Sequence, residues 1–118
     1  MRVYHGTDSK DKILKEGFKE EPSSYGVWFA LDKEIALRYG KEIITFIVKK
    51  ENLADWSDFD KFLERYTDKK GMLTLSLREI VYRYIKENPK KIGLLDKKDR
   101  VGVLFFPSII PRTPISSF

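Results

Sequence analysis

Cysteine is absent from the 118-residue chain, and histidine occurs once, as His5. Without cysteine there are no disulfides, thiolate metal sites or cysteine nucleophiles. One histidine excludes a multi-histidine metal centre, so we expect no metal, and a mechanism that needs an imidazole must use His5. The apolar runs are too short for a membrane span, and no signal-peptide core follows Met1. We therefore expect a cytoplasmic protein that does not bind a membrane.

Glutamine is also absent, and asparagine occurs only at Asn52 and Asn88. Few amide side chains and many lysines are typical of thermophile proteins. Hydrophobic residues make up 42% of the chain and charged residues 35%, which predicts one folded core rather than disorder. The length predicts a single domain spanning residues 1–118. The net charge of +5 is compatible with an anionic ligand but is too small to indicate a dedicated nucleic-acid surface.

The apolar pattern predicts an α+β domain with a compact mixed or antiparallel sheet and flanking helices. Short apolar or β-branched runs predict strands at 1–4, 27–30, 42–48 and 101–106. Helices are predicted from Asp8 or Ser9 to Gly17, from Asp32 to Gly40, from Ser57 onward, and from Ser76 to Asn88. Ser76 and Glu79 have the spacing of a capping box. The prolines Pro107, Pro111 and Pro114 predict an extended segment at a sheet edge.

Helical spacing also predicts which side chains the helices turn inward. In the first helix, Ile13 and Leu14 are expected to face the core. In the second, Ile35, Ala36 and Tyr39 are expected to share one face, with Gly40 closing the helix.

Three short motifs in the first part of the chain carry the functional hypothesis. Tyr4-His5-Gly6-Thr7 ends the first strand, and Gly26-Val27-Trp28-Phe29-Ala30 contains the second. Tyr39 follows Trp28 by eleven residues. Each motif alone is more typical of a surface or core position, so the prediction depends on their order and spacing.

This order resembles the ADP-ribosyltransferase superfamily over residues 3–48. In poly(ADP-ribose) polymerases, a histidine-glycine-serine/threonine motif ends one strand, a G-x-Y-F-A strand follows, and a tyrosine lies eleven residues after the aromatic of that strand. The resemblance implies an ADP-ribosyltransferase-like domain that takes NAD as substrate and transfers ADP-ribose to a protein or nucleic-acid acceptor.

The resemblance also implies a role for each matching residue. His5 and Tyr39 are the candidate catalytic residues, with His5 as a hydrogen-bond donor to the ribose hydroxyls. Gly6, Thr7, Trp28, Phe29 and Ala30 are the candidate NAD-binding residues. Lacking a Cβ, Gly6 would let the nicotinamide carboxamide approach the backbone closely. Tyr39 with Trp28 or Phe29 would supply aromatic walls, and Thr7 would either bind ribose or, as its position favours, cap the next helix.

The superfamily's usual third residue, a glutamate on a late strand, has no counterpart here. The predicted strand 101–106 contains no acidic residue, and Glu42, Asp96 and Asp99 do not match the family position. Because that acid stabilises the reacting ribose and positions the acceptor, we expect single-unit transfer rather than polymer synthesis. Arg100 is a possible phosphate contact, although an ordinary surface arginine is the simpler interpretation.

Two alternative functions remain open. RNA 2′-phosphotransferases are similar in the Y-H-G-T start, in the Ile13-Leu14-Lys15-Glu16-Gly17 segment and in a late G-V strand followed by V-P-P, which residues 101–106 and Ile110-Pro111 resemble. That likeness at both ends predicts a complete minimal core, but the arginine cluster of those enzymes is missing. The other alternative is a catalytically weak nucleotide-binding module, with the helices between Ser57 and Asn88 as a partner surface. Their aromatic stripe is more typical of a core.

Overall fold

The computed structural model describes residues 1–20 and 24–109. Its strands are β1 (Arg2–Thr7), β2 (Gly26–Ala30), β3 (Glu42–Ile47), β4 (Leu53–Asp55), β5 (Gly93–Asp96) and β6 (Val101–Phe105). Its helices are α1 (Lys10–Glu16), α2 (Lys33–Ala36), α3 (Trp56–Glu64) and α4 (Leu77–Glu87), with a 3-10 turn at Lys50–Asn52.

The six strands form one mixed sheet in the order β3-β1-β2-β6-β5-β4. All neighbouring strands are antiparallel except β4 and β5, which are parallel. The predicted α+β class with a mixed sheet is therefore confirmed. The sheet places β2 between β1 and β6, so segments from opposite parts of the chain lie side by side.

Side chains alternate between two cores on opposite faces of the sheet. Val103 and Phe105 of β6 pack with α3 and α4 in the larger core. Phe29 of β2 belongs to a smaller core on the other face, with Val3 of β1 and Leu95 of β5. Because successive strand residues point to opposite faces, Trp28 and Ala30 lie on the α3 face. The described residues bury no polar or charged side chain.

Helix α4 begins where its sequence predicts, whereas α3 begins at Trp56, one residue before the predicted Ser57, with Asp55 as its N-cap. At the start of α4, the side chain of Ser76 accepts a hydrogen bond from the backbone N–H of Glu79, at 3.2 Å. In α3, Phe59 and Phe62 are buried, and their rings meet Tyr84 of α4 edge-on. The aromatic stripe is thus mainly core, while Tyr82 is exposed.

Several local predictions are wrong. The first strand is longer than the predicted 1–4, because it continues through His5, Gly6 and Thr7, which pair with residues of β3. Leu14 was expected to face the core, but it is 64% exposed, because α1 buries none of its residues. Pro111 and Pro114 of the predicted extended segment, and the Ile110-Pro111 match, lie outside the described residues.

Helix α2 is shorter than its apolar spacing predicts. It ends at Ala36, so Tyr39 lies in the turn that follows rather than on the helical face with Ala36. Gly40 lies against the backbone of Thr7, where a Cβ at position 40 would overlap β1. This close approach to β1 ends the helical segment.

Candidate functional site

The sheet is nearly divided between β1 and β2. β1 pairs with β3 at six positions, and β2 pairs with β6 at five, but β1 and β2 share one pair, Tyr4 with Ala30. The two strands therefore separate beyond this pair. A separation of this kind exposes backbone groups and opens a cleft in the sheet.

His5 bridges the separation. Its Nδ1 lies 2.7 Å from the backbone carbonyl oxygen of Trp28, and its ring meets Phe18 edge-on at 5.0 Å. Because a carbonyl oxygen only accepts, Nδ1 must carry the hydrogen, and Nε2 of the neutral ring is then an acceptor. In its neutral form His5 would therefore offer Nε2 as an acceptor to a ligand hydroxyl, and its expected role toward the ribose hydroxyls stays a prediction.

A cleft of about 410 Å³ lies at this separation. Six of the seven predicted site residues line it: His5, Gly6, Trp28, Phe29, Ala30 and Tyr39. The lining is aromatic and apolar, and Trp28 and Tyr39 are 56% and 74% exposed. Exposed aromatic rings around an apolar cleft can hold a planar ligand ring by stacking.

Thr7, the seventh residue, is not among the cleft-lining residues. Its side-chain oxygen accepts a hydrogen bond from the backbone N–H of Ser9, at 3.0 Å. This contact orders the start of α1, where Ser9 makes no capping bond of its own. Thr7 therefore makes a local side-chain turn before α1, whose N-cap residue is Ser9, and its assignment to NAD binding stays a prediction.

Gly6 packs closely against the backbone at the end of α2, which leaves no room for a side chain at position 6. A Cβ at position 6 would overlap the backbone carbonyl of Ala36, so the space that the glycine leaves is filled by the end of α2. The Cβ position of Gly6 is therefore not open to a ligand, whereas the approach of a ligand carboxamide to the Gly6 backbone stays a prediction, because Gly6 lines the cleft. Its function is to bring α2 and the turn carrying Tyr39 close to β1.

We expect Gly6→Ala to lower the free energy of unfolding by about 2 kcal/mol, because overpacking against backbone cannot be relieved by a rotamer change. Gly71→Ala is the matched control: Gly71 has φ 83° and no atom near its Cβ position, so only backbone strain of about 1 kcal/mol is expected there. Urea unfolding of both variants measures the difference. Equal losses would show that the contact with Ala36 is not tight.

Four further residues belong to the cleft or its wall, and sequence reasoning did not assign them. Tyr4, Ala36 and Val101 line it. Trp56, the first residue of α3, stacks on Trp28 with ring centroids 5.4 Å apart and an interplanar angle of 21°. The sequence signal for Tyr4 was its place in the Y-H-G-T motif. Val101 and Trp56 reach the cleft only through strand order, which their local sequence does not reveal.

An ion pair lies at the end of the cleft. Arg100 precedes Val101, and its Nε and one terminal nitrogen donate to the Asp32 carboxylate at 2.7 and 3.0 Å. These hydrogen bonds hold the pKa of Asp32 below its ordinary value. Asp32 occupies the N-cap position of α2 but makes no capping bond, so its predicted capping contact is wrong. The guanidinium is paired with a carboxylate at the surface, which agrees with the simpler interpretation of Arg100 as an ordinary surface arginine.

The acidic residues near the late strand serve local structure. The Asp96 carboxylate accepts hydrogen bonds from the backbone N–H groups of Lys98 and Asp99, at 2.9 and 3.1 Å. These bonds order the turn between β5 and β6. Asp99 and Glu42 are exposed, and neither these two residues nor Asp96 line the cleft. The β6 residue that does so is the apolar Val101.

In residues 1–20 and 24–109, no three His, Asp or Glu side chains come together as metal ligands would. Over the same residues, every helix falls short of the length and apolar character needed to cross a bilayer. Searches of protein-family models, curated proteins and solved structures give no match to this chain.

Proposed function

We propose that the protein binds NAD in the cleft between β1 and β2 and transfers a single ADP-ribose unit to a macromolecule. One observation carries this proposal: the only imidazole of the chain bridges the separated strands at an aromatic cleft. The sequence resemblance implied this combination of histidine and aromatic residues for an NAD site.

The cleft offers a contact for each of the two groups that the scissile bond of NAD joins, the ribose and the nicotinamide ring. Nε2 of neutral His5 accepts a hydrogen bond from a ribose hydroxyl, since Nδ1–H donates to Trp28. The planar nicotinamide ring stacks on the exposed indole of Trp28, and the phenol of Tyr39 supplies a second aromatic surface of the same cleft. The volume of about 410 Å³ lies within the usual range for small-molecule pockets.

In the proposed reaction the bond between ribose C1′ and the nicotinamide nitrogen breaks, and nicotinamide leaves with the bonding electrons. An acceptor oxygen or nitrogen then donates its lone pair to C1′ and loses its proton. The positive charge that develops on the ribose needs electrostatic stabilisation. Among the described residues, the cleft lining contains no carboxylate, and Val101 occupies the lining position on β6. We therefore expect slow hydrolysis of NAD by the protein alone.

Incubation of the protein with NAD, with and without an acceptor or a 2′-phosphorylated RNA, distinguishes this function from its alternatives. Nicotinamide release from NAD with a protein or nucleic-acid acceptor, and without phosphorylated RNA, supports the transferase. Release only with a 2′-phosphorylated RNA identifies a phosphotransferase. A thermal shift with NAD but no release identifies a binding module. Neither a shift nor release would overturn the proposal that the cleft binds NAD.

Tyr39→Ala should weaken NAD binding about fivefold, because the loss of one aromatic contact is worth roughly 1 kcal/mol. Its side chain is 74% exposed, so the free energy of unfolding should change little. Tyr66→Ala is the control: Tyr66 packs against Phe62 at 5.5 Å, away from the cleft. That variant should lose stability and keep its NAD affinity, as measured by titration calorimetry. Similar affinity losses in both variants would indicate general destabilisation.

A further inference from the structure

The two tryptophans of the chain, Trp28 and Trp56, form a stacked pair beside the cleft. Their ring centroids are 5.4 Å apart and the rings are 21° from parallel. Trp28 lines the cleft, whereas Trp56 is half-buried and packs against the larger core. The pair therefore connects the cleft wall to the core through one ring contact.

Trp56 is held firmly from both directions along the chain. Before it, β4 pairs with β5, with Asp55 opposite Leu95. After it, the Asp55 carboxylate accepts hydrogen bonds from the backbone N–H and the hydroxyl of Ser57, at 3.1 and 3.0 Å. These bonds lower the pKa of Asp55, so the cap stays ionised at neutral pH. Further along α3, buried Phe59 anchors the helix to the core.

Trp28 has no comparable constraint on its side chain. Its backbone is fixed by pairing with Val103 of β6, but its indole is 56% exposed. A half-exposed ring on an ordered strand can still change rotamer. Among the described residues, the ring contact found for this indole is the stack with Trp56.

We propose that Trp56 is a positioning residue for the cleft: its indole fixes the indole of Trp28 as a rigid wall for a planar heteroaromatic ring. The part of this inference that concerns the ligand rests on the proposed function, with the nicotinamide ring of NAD as that ligand. The part that concerns Trp28 does not depend on any ligand. A wall fixed before binding loses no rotamer entropy when the ligand stacks on it.

Substitution of Trp56 leaves Trp28 as the sole tryptophan, so the spectrum of the variant reports on Trp28 directly. In Trp56→Phe, a smaller aromatic ring still stacks on Trp28. The near-ultraviolet circular dichroism of Trp28 should therefore persist in this variant. In Trp56→Ala, the ring is free to rotate, and this signal should fall several-fold. Far-ultraviolet spectra and a measured midpoint of thermal unfolding confirm that both variants are folded. Equal tryptophan signals in the two folded variants would overturn the inference.

Titration calorimetry with NAD and with free nicotinamide tests the part of the inference that concerns the ligand. Trp56→Ala should bind each about fivefold more weakly than the wild type, with Trp56→Phe close to the wild type. Tyr82→Ala, which removes an exposed aromatic ring on α4, should bind as the wild type does. Wild-type affinity in Trp56→Ala overturns the positioning role. No binding by the wild-type protein overturns the proposed function and the ligand part of the inference, while the spectral comparison still decides whether Trp56 fixes Trp28.

Discussion

His5→Ala is expected to reduce nicotinamide release from NAD about a hundredfold, which corresponds to about 2.7 kcal/mol. Two contributions are lost together. The variant removes the Nε2 acceptor for a ribose hydroxyl, and it removes the hydrogen bond from Nδ1 to the Trp28 carbonyl that bridges β1 and β2. Initial rates at saturating NAD, compared with rates at low NAD, measure the effect on turnover and on binding.

His5→Asn separates the two contributions. Its amide N–H can replace Nδ1–H as donor to the Trp28 carbonyl, but it places no acceptor where Nε2 lies. We expect this variant to be nearly as stable as the wild type and nearly as inactive as His5→Ala. His5→Ala itself should remain folded, with a loss of about 1 kcal/mol for one partly exposed hydrogen bond. Wild-type turnover in either variant would show that His5 has a structural role alone.

Val101→Glu is expected to accelerate nicotinamide release about a hundredfold. Val101 is the β6 residue that lines the cleft, and it is aligned with Ala30 of β2. A carboxylate there would face the positive charge that develops on the ribose, and such fixed electrostatic stabilisation is worth about 3 kcal/mol. The resemblance to poly(ADP-ribose) polymerases implied an acid on a late strand, and this position is the one from which β6 reaches the cleft.

Val101→Gln is the matched control, because it has the size and polarity of glutamate without its charge. It should release nicotinamide no faster than the wild type. Gel analysis with labelled NAD adds a second measurement: the wild-type protein should produce no ladder of long polymers. A ladder from the wild type, or equal rates of nicotinamide release for the glutamate and glutamine variants, would show that the lack of a carboxylate on β6 does not limit the reaction.

Long or strongly patterned elements could be predicted from the sequence. β3 was predicted from its β-branched residues, and α4 from its capping box and from Asn88-Pro89 at its end. Six of seven proposed site residues line one cleft, and they were chosen through the resemblance to the ADP-ribosyltransferase superfamily. Thr7 is the exception, because its side chain points to a local backbone contact that competes with any ligand role.

The parts that could not be predicted depend on contacts distant in sequence. β4 has three residues and β5 four, too few for an alternating pattern to be recognised. α2 was predicted to reach Gly40 because its apolar spacing continues to Tyr39, but the approach of Gly40 to Thr7 ends it earlier. Asp32 was assigned to helix capping from local spacing, whereas its partner is Arg100, 68 positions away.

The strand order also has a consequence for synthesis of the protein on the ribosome. β2 lies between β1, near the N-terminus, and β6, which begins at Val101. Because Val101 completes the cleft lining, a nascent chain cannot form this site until β6 has left the exit tunnel. Pairing of segments so far apart also makes folding slow compared with a helical protein of the same size. Any activity that resides in the cleft therefore begins only after β6 has emerged and paired with β2.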